Sequence, residues 1–167
     1  MDQISQERRS ANMAAIRGRD TGPERAVRSV LRSLGIGYRL HGRGLPGRPD
    51  IVMKGRRKAI FVHGCFWHRH EGCRFAYHPK SREDFWGAKF AGTVARDRRS
   101  VAALAAGGWD VLIIWECESH EITLLRERII AFMGRGSDGR TGHWCARTVC
   151  DSKKAGPAGR RRAAPDS

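Results

Sequence analysis

Long apolar runs are the first thing this sequence lacks. No stretch approaches the roughly 18 apolar residues that a membrane-spanning helix requires, so a membrane partner is not expected. The opening residues MDQISQERRS are polar and carry no apolar signal core, and the chain is expected to work in the cytoplasm. Acid is scarce as well: 17 Asp and Glu stand against 32 Lys and Arg, a formal charge of +15. The segment 134–167 carries eight basic and three acidic residues, which leaves +10 on residues 1–133. The folded part is therefore basic without its tail, and such a surface points to a polyanion, nucleic acid above all, through counterion release. Cysteines number five, an odd count that argues against a disulfide framework and towards metal ligation.

At 167 residues, with 40% hydrophobic content, the chain has room for one packed domain. Residues 1–20 are polar and basic, with a weak helical pattern through Met13 and Ile16, and read as an arm. A helix follows in DTGPERAVRSVLRSLGIG: Asp20 or Thr21 caps it, Pro23 sits in its first turn, and Gly35 stops it. Val27, Val30, Leu31 and Leu34 recur at helical spacing. Three short strands are expected around Tyr38–Leu40, Pro49–Met53 and Lys58–Val62, the last two forming a hairpin across Gly55-Arg56-Arg57. A second helix is expected over Arg82–Ala106, with Phe85, Phe90, Val94, Val101 and Leu104 among its apolar positions. The continuous apolar run WDVLIIWEC reads as a buried strand. A third helix, near Glu121–Met133, puts Leu125, Ile129 and Phe132 on one face. After Gly134 the composition turns to Gly, Ser, Arg, Ala and Pro, which reads as disorder. The order α-β-β-β-α-β-α describes an α/β domain over residues 21–134 around a mixed sheet.

Chemistry concentrates in VHGCFWHRHEGC, residues 62–73. Cys65, His70 and Cys73 have the residue types and close spacing of a zinc site, and Cys117 at the end of WDVLIIWEC offers a fourth soft ligand. Cys145 and Cys150, beside His143, fall in the tail and are not assigned a second site. His63 and His68 interleave with these ligands. They are either surface histidines or imidazoles held in fixed geometry for acid–base work on a phosphodiester. Asp50, in GLPGRPDIV, either ends a turn or holds Mg²⁺. Glu24 shares an inward stripe with Val27, Leu31 and Leu34; it is either an ordinary first-turn acid meeting the helix dipole or a partner for Arg28, or it marks a metal-centred site. Phe66, Trp67 and Trp86 either fill core or stack on bases.

RSANMAAIRGRDT, GPE, LPGRPD, IFVHGCFWHRHEGC, Phe85-Trp86, RDRR (96–99) and GWDVLIIWEC together resemble the very-short-patch repair (Vsr) endonucleases, over about Arg9 to Met133. The resemblance implies a restriction-endonuclease-like fold, with a mixed central sheet flanked by helices and a structural zinc site. It implies an enzyme that recognises a T:G mismatch left by deamination of 5-methylcytosine and nicks the thymine strand 5′ of that base. By position, Asp50 becomes the Mg²⁺ carboxylate, aided by the main-chain carbonyl of Val62. His68 becomes the general base, supported by Glu24, and His63 a second catalytic imidazole. Cys65, His70, Cys73 and Cys117 become the zinc ligands. Phe66, Trp67 and Trp86 intercalate beside the mismatch while the arm grips the minor groove. Where the wider nuclease superfamily has Glu-x-Lys, this chain reads Phe61-Val62-His63, and Gly72 lengthens the usual His-to-Cys spacing by one residue. The expected partner is double-stranded DNA with a T:G mismatch, with mismatch-repair proteins as further partners and the chain acting as a monomer. Two other readings compete: a related nuclease cutting fully paired DNA, which needs no aromatic wedge, and a zinc-stabilised DNA-binding module, which needs none of Glu24, Asp50, His63 and His68.

Overall fold

The computed structural model describes residues 19–80 and 82–134. The arm as far as residue 18 and the tail from residue 135, with His143, Cys145 and Cys150, lie outside the described residues.

Helix α1 (Gly22–Ser33) is set at both ends by local chemistry. Thr21 Oγ1 accepts the Glu24 N–H (3.4 Å), and the Glu24 carboxylate accepts the Thr21 N–H (3.4 Å) and the Asp20 N–H (3.0 Å). This capping box satisfies donors that the first turn leaves without helical partners. At the other end the Gly35 N–H returns to Arg32 (3.0 Å) and the Ile36 N–H to Leu31 (2.9 Å). Gly35 adopts φ +66°, the left-handed residue that such a helix stop requires.

A four-stranded mixed sheet follows, in the order β1 (Arg39–Leu40), β2 (Ile51–Met53), β3 (Lys58–His63), β4 (Asp110–Trp115). β1 and β3 each run antiparallel to β2, whereas β3 and β4 are parallel. The expected hairpin is present, closed by a 3₁₀ turn over Lys54–Arg56 and by Arg57 at φ +49°. The parallel step from β3 to β4 needs a crossover, supplied by the histidine-rich loop and the 24-residue helix α2 (Glu83–Ala106). Helix α3 (Ile122–Gly134) ends the described chain. No helix among the described residues is long and apolar enough to cross a membrane.

Successive strand residues point to opposite faces, and the core divides accordingly. Ile60 joins Val27, Leu31, Ile51 and Ile114 beneath α1 and α3, with Leu125, Ile129 and Phe132 contributed by α3. Ala59 and Phe61 pack with Leu104 of α2 on the other face. Two expectations change. WDVLIIWEC forms a strand, but β4 is the edge of the sheet, so only Ile114 and Trp115 of it are fully buried. The strand also ends at Trp115, which places Cys117 in a separate 3₁₀ helix, Glu116–His120. In α2 only Phe90 and Leu104 are buried, and Phe85 is exposed, because the first half of this helix lies over the loop rather than the sheet.

The segment before Asp50 packs against α2 through Gly47. This residue has φ +71°, and a Cβ there would stand 2.6 Å from Ser100 Cβ and 3.1 Å from Phe61 Cζ. Gly47→Ala combines left-handed strain with overpacking, so we expect a loss of about 1–3 kcal/mol in urea unfolding. Unchanged stability would show that the segment yields freely.

Candidate active site and metal centre

The antiparallel register Ile51↔Ile60 brings Asp50, one residue before β2, level with Phe61 and within reach of Val62 near the end of β3. The Val62 N–H donates to Asp50 Oδ2 (2.8 Å), and the His41 N–H donates to the Asp50 carbonyl (2.9 Å). Burial raises the Asp50 pKa above the usual carboxylate value. The Val62 N–H opposes that shift, the neighbouring Glu24 carboxylate adds to it, and His41 and His68 pull it back. Glu24 is only 6% exposed. A desolvated carboxylate with a second acid beside it is an oxygen environment that a hard divalent cation would relieve.

His63 and His68 meet at the same end of the sheet. Their rings stack at 3.8 Å between centroids, 10° from parallel. Burial, reinforced by the neighbouring His68, pushes the His63 pKa down to about 3 against an opposing effect of Asp97, so His63 is neutral at physiological pH. His68 Nδ1 lies 2.6 Å from Asp97 Oδ2. A carboxylate at Nδ1 holds the proton there and leaves Nε2 able to accept another. The family resemblance implies Glu24 as the acid supporting His68. In the structure the carboxylate against His68 is Asp97, from RDRR on α2, while Glu24 bonds the α1 cap and neighbours Asp50. Donor atoms of His63, His68 and Asp97 fall within 4.8 Å of one another. Near-parallel rings do not converge their lone pairs on one point, however, so the group suits proton transfer better than ion binding.

Cys65, His70, Cys73 and Cys117 also bring one donor atom each within 4.8 Å of the others. His70 Nδ1 lies 3.6 Å from Cys65 Sγ and 3.3 Å from Cys117 Sγ. Gly72 adopts φ +70° inside a turn closed by the Cys73 N–H to the His70 carbonyl (3.2 Å). The additional residue is thus absorbed in a conformation suited to glycine, and Cys73 still reaches the cluster. Burial pushes the Cys65 thiol up to about 11. Cys117 is raised further by burial and by the adjoining Cys65 and Cys73. Burial lowers the His70 pKa, which favours the neutral imidazole a metal needs. Crowded thiols of this kind ionise readily only against a cation, and two soft ligand types at four points fit a closed tetrahedral ion.

Phe66, Trp67 and Trp86 form one half-buried aromatic group. Phe66 meets Trp67 at 5.1 Å and Trp86 at 5.6 Å, and Trp67 meets Trp86 at 5.9 Å. Lys89 Nζ stands 5.4 Å from the Trp67 ring centre. The group is neither closed core nor free surface. Trp67 immediately precedes His68 in the loop, so the group and the histidine pair are carried by the same short segment.

Asp97 is the residue the sequence reading left without a role. An acid among the arginines of a long helix looks like part of a solvated face, and its partner His68 lies 29 positions away.

The family model described as DNA mismatch endonuclease Vsr matches residues 1–74. The chain is 51% identical over 128 residues to a protein of Xanthomonas oryzae pv. oryzae named type II nicking enzyme V.XorIIP, covering 77% of this chain and 93% of that one. It is 47% identical over 109 residues to DNA mismatch endonuclease Vsr of Escherichia coli K12, covering 65% and 69%. It is 36% identical over 128 residues to type II nicking enzyme V.NmeAIP of Neisseria meningitidis, covering 77% and 91%. Identity at this level over most of each relative shows that this chain is an endonuclease belonging to the Vsr DNA mismatch endonuclease family.

Proposed function

We propose that this endonuclease recognises T:G mismatches of the kind left by deamination of 5-methylcytosine and nicks the thymine strand 5′ of the mismatched base. The observation that carries this reading is the convergence at one sheet end of Asp50, the His63–His68 stack and Asp97, with the half-buried aromatic group carried on the same loop. The mixed sheet with helices on both faces suits a restriction-endonuclease-like fold over residues 21–134, with the arm (1–20) and basic tail (135–167) adding DNA contacts. The chain acts as a monomer in the cytoplasm.

Asp50 and the Val62 carbonyl would hold Mg²⁺, which supplies charge stabilisation at the phosphoryl oxygens. His68, oriented by Asp97, accepts the proton of the attacking water at Nε2. Neutral His63 supports the His68 ring by stacking and excludes water behind it. Cys65, His70, Cys73 and Cys117 would hold a structural zinc ion. Phe66, Trp67 and Trp86 would enter the base stack at the mismatch.

Nicking assays with Mg²⁺ on T:G, other mismatched and fully paired duplexes test the reading. Equal cutting of paired DNA would overturn the mismatch specificity.

Two variants separate the tasks of the loop. Trp67→Ala removes a stacking face typically worth about 1–3 kcal/mol per base, so T:G binding falls while Mg²⁺-dependent cutting persists at high enzyme concentration. His68→Ala binds T:G normally and slows the chemical step by roughly 10²–10⁴-fold. Proportional loss of binding and cutting in both would make the loop a single structural unit. Asp97→Asn keeps the contact but loses the charge that orients His68. A slowing of about 10- to 100-fold with unchanged DNA affinity is expected in single-turnover nicking, and a parent-like rate would remove Asp97 from the site.

A further inference from the structure

We infer that Trp115 is a positioning residue linking the Cys65–His70–Cys73–Cys117 cluster to the histidine pair. Trp115 ends β4 directly opposite His63 in the parallel register and is 8% exposed. One face of its indole lies on His70, centroids 4.3 Å apart and planes 6° from parallel. His63 meets the same indole at 5.5 Å and 71°, an edge contact. From there the His63 ring stacks on His68, and His68 bonds Asp97. Ring contacts therefore run unbroken from a ligand of the cluster to the proposed general base.

Among the described residues no hydrogen bond holds the His63 ring; Phe61, His68 and Trp115 surround it. Trp115 is itself anchored from the main chain: its N–H donates to Glu118 Oε2 (2.9 Å), and Glu118 pairs with Arg128. Aromatic packing is dense and directional, so the indole can transmit the position of His70 to His63 and from there to His68. The cluster then does more than close a loop, because it sets the orientation of the imidazoles two rings away.

This inference rests on His68 acting as the proposed base, and the test keeps the two apart. Parent, Trp115→Phe and Trp115→Leu are compared for zinc content, T:G duplex affinity, single-turnover nicking and the imidazole ¹⁵N resonances of His63, His68 and His70. We expect full zinc content and affinity within about twofold in both variants. Nicking should slow by about 10- to 100-fold in Trp115→Leu, the size of effect typical of groups that orient site residues, with partial recovery in Trp115→Phe. His63 and His68 resonances should shift in step with the rate while His70 stays in place. Unchanged His63 and His68 resonances would overturn the coupling. So would rate, affinity and stability falling in proportion, the mark of a core-filling residue. Should Trp115→Leu fail to fold, Trp115→Phe decides by the same readings. If His68→Ala nicks normally, the catalytic reading fails, yet resonance shifts on Trp115 substitution still establish the coupling.

Discussion

Asp50→Asn is expected to bind a T:G duplex as the parent does and to nick it at least about 10³-fold more slowly. The amide retains an oxygen that can accept the Val62 N–H, at 2.8 Å in the parent, so the turn into β2 is preserved. What disappears is the anionic oxygen. Burial and the adjacent Glu24 already hold the Asp50 carboxyl above its ordinary pKa, and a cation reverses that penalty. Cations at phosphoryl-transfer sites supply several kcal/mol of transition-state stabilisation, and each 1.36 kcal/mol is tenfold in rate, hence three decades or more. Duplex affinity without Mg²⁺ should be unaffected, since the aromatic and basic contacts lie elsewhere. Single-turnover nicking across a Mg²⁺ titration provides the check. A rate within tenfold of the parent, at any Mg²⁺ concentration, would mean that another residue carries the ion.

How far the site was legible depends on the distance over which each residue acts. Thr21, Pro23 and Gly35 announce α1 because caps and stops are local chemistry. The spacing of Cys65, His70 and Cys73 announces a cluster for the same reason, and Gly72 is explained only when its left-handed turn is seen. Glu24 is legible as a buried acid from its stripe, but the stripe does not tell a first-turn acid from a catalytic one, and the structure gives it the cap with Asp50 nearby. Asp97 was opaque: nothing in RDRR marks one acid as facing a histidine across the crossover. WDVLIIWEC shows that a strand exists, yet not that it forms the sheet edge or stops at Trp115, since pairing partners are set by the whole topology. Trp115 reads as an ordinary core residue until the rings on its two sides are located.

Cys117→Ser should lose zinc and the folded state together. Cys117 comes from beyond β4, while Cys65, His70 and Cys73 come from one nine-residue span, 65–73. Its thiol, 3.3 Å from His70 Nδ1, therefore ties the loop to the far edge of the sheet. Structural zinc contributes about 10–16 kcal/mol in small zinc-dependent folds, comparable with the roughly 5–15 kcal/mol stability of a whole domain. A hydroxyl is a poor substitute for a thiolate, and three remaining ligands would leave an open site around fully buried Cys65. The parent should hold one zinc per chain and unfold on chelation. Its affinity should fall as pH is lowered, because the thiols must give up their protons to the ion and burial already makes Cys65 reluctant, near 11. Cys145→Ser and Cys150→Ser, in the tail, should keep both metal and fold, which separates the loss of a ligand from the loss of any cysteine. Zinc analysis by mass spectrometry beside thermal unfolding distinguishes these outcomes. A Cys117→Ser protein that stays folded with a full complement of zinc would place the fourth ligand elsewhere and leave the β4 edge untethered by metal.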